Sequence, residues 1–128
     1  MPAPVVRAVD PFDLPEWLAE GDVTWTATTS VHAGHLVTGE LAGGPGVLPC
    51  DLLGVDQAFP VPVLGDDWRR QSHQAWTHGQ VLLLEHDGRL TLAVPGTGFT
   101  ADRALEALGR FAKAVGARPG SYLAAIRL

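Results

Sequence analysis

The residues able to do chemistry in this chain are few: five histidines, one cysteine and fourteen acidic side chains among 128 residues. His32 and His35 stand close enough to act as two ligands of one metal ion, with His73, His78, His86, Cys50 or Asp51 as sources of a third. Both sit at a hairpin turn, where polar residues are expected in any case. His73 and His78 are five apart, which turns them to different sides of a helix. No set closes on tetrahedral spacing, so the sequence predicts neither a bound metal nor a cofactor.

Gly96-Thr97-Gly98-Phe99-Thr100-Ala101 has the outline of a dinucleotide-binding turn. Its preceding strand is the second arm of a tight hairpin rather than the first strand of a βαβ unit, and no acidic residue follows Glu106 to hold the ribose hydroxyls. A strand-to-helix loop with Thr100 as its cap is the better reading. Ser30, Ser72 and Ser121 lie in no nucleophile elbow. Cys50 has a carboxylate neighbour in Asp51, which disfavours a thiolate and fits a small buried apolar group. Asp66-Asp67 reads as a helix start rather than a carboxylate pair. The groups that could catalyse are thus dispersed, and an enzyme is not the expectation.

The elements that would position these residues are better marked. Asp87-Gly88 between two apolar runs supplies the positive φ angles of a type I′ turn. His86 should then pair with Arg89, giving one face of Val81, Leu83, Glu85, Leu90, Leu92 and Val94 for the core. The other face is polar near the turn but apolar in its middle at Leu82, Leu84 and Ala93, and a second copy of the chain is expected to cover it. Next comes a helix capped by Thr100 and ended by Gly116, with Ala101, Ala104, Leu105, Leu108, Phe111, Ala112 and Val115 along one stripe and Arg103, Glu106, Arg110 and Lys113 outside. Residues 121–128 alternate Tyr122, Ala124, Ile126 and Leu128 as a returning strand.

Upstream, residues 1–12 read as a surface arm, and Asp13 to Gly21 has the punctuation of a short helix anchored by Trp17 and Leu18. Residues 22–31 alternate as a strand with one wet face, and Leu36 to Leu41 returns as its hairpin partner. A third strand around Cys50 to Asp56 contains Pro49 nearby and Gly54, which argue for an edge or a bulge. Residues 57–65 are extended by Pro60 and Pro62 yet apolar. A helix from Asp66 to about His78, ended by Gly79, then presents Trp68, Ser72, Ala75 and Trp76 on one face. Phe59 and Val61, beside Trp68 and Trp76, either staple that helix to the core, as apolar residues before a helix more often do, or form an apolar strip that binds an extended partner chain.

Charge and size narrow the function classes. A net charge of −5 with a single basic doublet, Arg69-Arg70, disfavours nucleic acid. The opening residues lack the signal-peptide pattern, and the longest apolar run, Tyr122 to Ile126, is far below the ~20 residues of a membrane helix, so a cytoplasmic protein with no membrane partner is expected. One cysteine excludes an internal disulfide.

Together these readings give one α+β domain over residues 1–128, an antiparallel β-sheet with the helices of residues 66–78 and 100–116 packed on it. The order of elements up to the last strand resembles the type III secretion chaperone-like fold. That resemblance implies a small acidic protein, usually a homodimer, that holds an extended stretch of a partner polypeptide. A non-enzymatic protein-interaction or chaperone-type module is accordingly the leading expectation. The alternative is a small-ligand-binding or hydrolytic domain using His32, His35 and a strand-end pocket.

Overall fold

The computed structural model describes residues 6–32, 35–44, 46–56 and 64–127. Its element order is β1 (Val6–Ala8), α1 (Trp17–Glu20), β2 (Val23–Ala27), β3 (Leu36–Val37), β4 (Gly39–Gly43), β5 (Gly46–Gly54), α2 (Asp66–Thr77), β6 (Leu82–His86), β7 (Arg89–Val94), α3 (Ala101–Ala114) and β8 (Tyr122–Ala125), with 3₁₀ turns at Pro11–Asp13 and Pro119–Ser121.

One sheet runs in the order β1-β6-β7-β5-β4-β2-β8, with β3 on β5. It is mixed, which corrects the expected antiparallel sheet. β5 and β7 pair in parallel from Cys50↔Leu90 to Gly54↔Val94, and β2 and β8 pair in parallel from Val23↔Tyr122 to Thr26↔Ala125. Hairpin patterning fixes local antiparallel neighbours, whereas these two pairings join segments separated by whole helices and leave no local signature.

The 86–89 hairpin forms as the turn chemistry dictates. Asp87 and Gly88 take φ of 55° and 75°, and His86 pairs with Arg89. β2 and β4 make the second hairpin in register Thr24↔Ala42 to Ala27↔Gly39. Pro49 lies opposite Glu40, before β7 joins β5 at Cys50, so β5 has a neighbour on one side only where the proline's missing N–H would otherwise be needed. Gly39 is required by a close approach: a Cβ there would stand 2.6 Å from the Trp25 ring, whose indole N–H donates to the Cys50 carbonyl at 2.9 Å.

The two long helices cover opposite faces of the β6-β7-β5 sheet. Alternation along the strands puts Leu52, Leu83 and Leu92 on one face, in a core shared with Ala104, Leu108 and Phe111 of α3. Leu53, Leu84 and Ala93 occupy the other, joined by Trp68 of α2. Ser72 fastens α2 there, its hydroxyl donating to the Ala93 carbonyl at 3.1 Å. In α3 the Thr100 hydroxyl accepts from Arg103 N–H and Gly116 has φ of 81°, but the stripe is rotated from expectation: Ala107 is buried and Leu105 exposed.

Two further expectations are corrected. The arm of residues 1–12 carries a strand, because Val6–Ala8 pairs antiparallel with Leu84–His86. The short helix expected before Gly21 forms as a single turn, Trp17–Glu20, with Leu18 buried, and a 3₁₀ turn capped by Asp10 precedes it. The apolar outer face of the hairpin is covered from within the chain: Leu84 and Ala93 are fully buried under α2 and Leu82 is half-buried beside them, so α2 fills the place expected for a second copy. No helix among the described residues is long and apolar enough to cross a membrane.

Candidate functional site

Three surfaces concentrate exposed chemistry. The first is the open edge of the sheet. Among the described residues β8 pairs only with β2, so its other side carries unpaired backbone N–H and C=O groups. Tyr122 turns inward, edge-on to Phe111, and its hydroxyl donates to the Leu18 carbonyl at 2.7 Å. Leu123 turns outward and is 61% exposed. The registers place Leu123, Thr24, Ala42 and Val47 in one row across β8, β2, β4 and β5, and Val47 is also 61% exposed. Leu105 of α3, two residues along from Arg103 and so on the other flank of the helix, is a further exposed apolar side chain.

The opposite edge is built differently. β1 carries Arg7, whose guanidinium reaches Glu85 of β6 at 2.7 Å with both side chains well exposed. Such a charge discourages another strand from pairing there, and residues 122–125 have neither charge nor proline to do the same.

A second surface lies at the carboxyl ends of the parallel strands β5 and β7. Asp56 follows β5 and accepts from the Gly96 N–H at 2.8 Å. His73 Nε2 approaches both Asp56 oxygens, at 3.0 and 3.2 Å. Burial pushes the Asp56 carboxyl up, but the His73 and Gly96 hydrogen bonds, with the nearby charges of His73 and Arg69, outweigh it and hold the group below its ordinary range. The Gly96–Thr100 loop so fastened lines a cleft of about 530 Å³ with Val31, His32 and Arg103.

The third is a groove of about 510 Å³ between the start of β6, the end of α2 and the last turns of α3. Trp76 sits at its shoulder beneath two cations, with the Arg110 guanidinium 3.5 Å and that of Arg103 4.9 Å from the ring centre. Arg110 donates to the carbonyls of Trp76 at 2.7 Å and Gln80 at 3.0 Å, and to Glu106 at 3.1 Å. Arg103 donates to the Pro95 carbonyl. Both arginines were expected on the solvated side of α3. A stripe of long cations beside a tryptophan on another helix was the available signal, but only the fold, by bringing the last turn of α2 at Trp76 alongside α3, puts them together.

The sequence-derived candidates separate on this geometry. Trp68 and Trp76 are both half-buried and pack against different cores, so they do not form one strip. Phe59 and Val61 lie outside the described residues. His32 lines the strand-end cleft, whereas His35 contributes its backbone carbonyl to Gly54 N–H at 2.6 Å. His73 and His78 diverge, the first toward Asp56 and the second toward the Gln74 carbonyl. Among the described residues no three His, Cys, Asp or Glu side chains gather as a metal site. Cys50 is buried, and that burial, reinforced by Asp51, pushes its thiol far above the ordinary range. Asp51 instead takes a two-point ion pair from Arg89, at 2.8 and 2.9 Å.

No family model, no curated protein and no solved structure matches this chain.

Proposed function

We propose that the chain is a non-enzymatic protein-interaction module that takes an extended polypeptide as an added strand along β8. The carrying observation is an edge that is uncharged and, among the described residues, unpaired, with Leu123 61% exposed. Backbone groups left open along a strand are satisfied best by another strand, and the alternate side chains of that strand find Leu123 on one face and the Leu105 flank of α3 on the other. The chaperone-type resemblance points to the same kind of ligand, an extended stretch of partner chain. A homodimer would use this edge too, since the face of Leu84 and Ala93 is occupied. Selection of displayed random peptides tests the proposal. Enriched sequences should alternate apolar residues and bind Leu123→Lys at least about tenfold more weakly, with unchanged thermal stability. Peptides indifferent to Leu123→Lys would remove β8 as the site.

A second reading, a small-ligand domain, is favoured by one observation. The cleft holding His32 lies outside the carboxyl ends of β5 and β7, where ligands settle on parallel strands.

A further inference from the structure

The groove between β6, α2 and α3 is separate from the β8 edge and has a chemistry of its own. Its floor is apolar, formed by Val9, Ala75, Val81, Leu83 and Ala114. It exists because β1 stops short. Val9 N–H donates to the Leu83 carbonyl at 2.9 Å, and two residues on Pro11, which has no N–H, turns away into the 3₁₀ turn. In an antiparallel pair alternate residues bond to the same neighbour, so after Glu85 and Leu83 it is the Val81 backbone that faces the place β1 has left. Among the described residues the Val81 N–H and C=O have no backbone partner.

The rim is cationic. Arg110 and Lys113 both line the groove and no acidic residue does. Arg110 is largely committed, to two carbonyls and to Glu106. Lys113 is the chain's one lysine, and among the described residues it takes part in no ion pair. A groove of about 510 Å³ with an apolar floor and a single uncommitted cation at its mouth matches a ligand with one negative charge and an unbranched apolar body.

We propose that this groove binds a small amphipathic monocarboxylate, its carboxylate on the Lys113 ammonium with Arg110 alongside and its hydrocarbon chain over Val81 and Leu83. The carboxylate accepts from Lys113 and from the open Val81 N–H, which leaves the tail to displace water from the floor. Longer polypeptide is a poorer occupant because the open edge extends over Val81 alone.

Decanoate is the probe, followed by amide shifts in NMR, with decanol as the uncharged control. Decanoate should give saturable shifts at Val81, Gln80 and Ala114. Decanol should bind at least about tenfold more weakly, and Lys113→Met should weaken decanoate by about tenfold while leaving decanol as it was, the effect of one charged hydrogen bond. Lys113 is exposed, so the variant keeps its fold, which circular dichroism checks. Equal binding of decanol and decanoate, indifference to Lys113→Met, or shifts confined to other surfaces would each overturn the assignment. None of these results depends on whether β8 accepts a strand.

Discussion

Arg89 grips Asp51 with two parallel hydrogen bonds, Nε to Oδ2 at 2.8 Å and Nη2 to Oδ1 at 2.9 Å, across the parallel pairing of β7 with β5. The same Nη2 donates to the Gly39 carbonyl at 2.9 Å, and Gly39 N–H donates back to Asp51 Oδ1 at 3.2 Å. One carboxylate thereby ties three strands, β4, β5 and β7, where the β3–β4 chain passes Thr38. It stands next to Cys50, yet on the other face of the strand, so it builds structure rather than a thiolate site.

Asp51→Asn should therefore destabilise the chain by about 2 kcal/mol, the usual cost of disrupting a charged hydrogen bond at a nearly buried site. Urea unfolding measures it. An unchanged midpoint would mean that Arg89 and Gly39 are served equally well by water.

Leu84→Ala should cost about 3 kcal/mol, because Leu84 is fully buried between β6 and α2. Light scattering on the same sample should give the same molecular mass as the unsubstituted chain. A change of mass with little loss of stability would restore this face as a contact between copies.

Acid should loosen the strand-end loop. The Asp56 carboxyl titrates lower in the folded chain than in the unfolded one, so the unfolded chain binds its proton first. Its stabilising contribution is complete above the ordinary aspartate range near 3.8 and is lost as pH falls through the lower folded value. Asp56→Asn should remove that part of the acid dependence and bring the two stability curves together once the pH lies below the lowered folded value and the carboxyl is protonated in both states. Parallel curves throughout would show that Gly96 and His73 do not depend on the charge.

What the sequence made legible was local. Asp87-Gly88 specified its hairpin, Thr100 and Gly116 marked the ends of α3, and Gly79 ended α2, since each acts on its own few residues. Leu84 and Ala93 were recognised as too apolar for a solvated face, but covering them takes α2, and nothing in the alternation of a strand names the helix that will pack on it. The same limit hid the parallel pairing of β5 with β7, the strand within the expected arm, and the meeting of Asp56 with His73, 17 residues apart. Site chemistry was less legible still. Trp76 could be picked out as an unusual residue on a polar helix, whereas its cover of Arg103 and Arg110 depends on the fold bringing the last turn of α2 alongside α3.

Strand addition at the edge of β8 has a direct readout in the backbone amides. Titrating the labelled chain with a peptide from the display selection, and following backbone amide shifts by NMR, should move Tyr122 to Arg127 together with Leu105 and Thr24. The β8 amides should also become slower to exchange as they gain partners. Shifts centred instead on His32 and Gly96–Thr100, with β8 exchange unaltered, would contradict strand addition and favour the small-ligand reading.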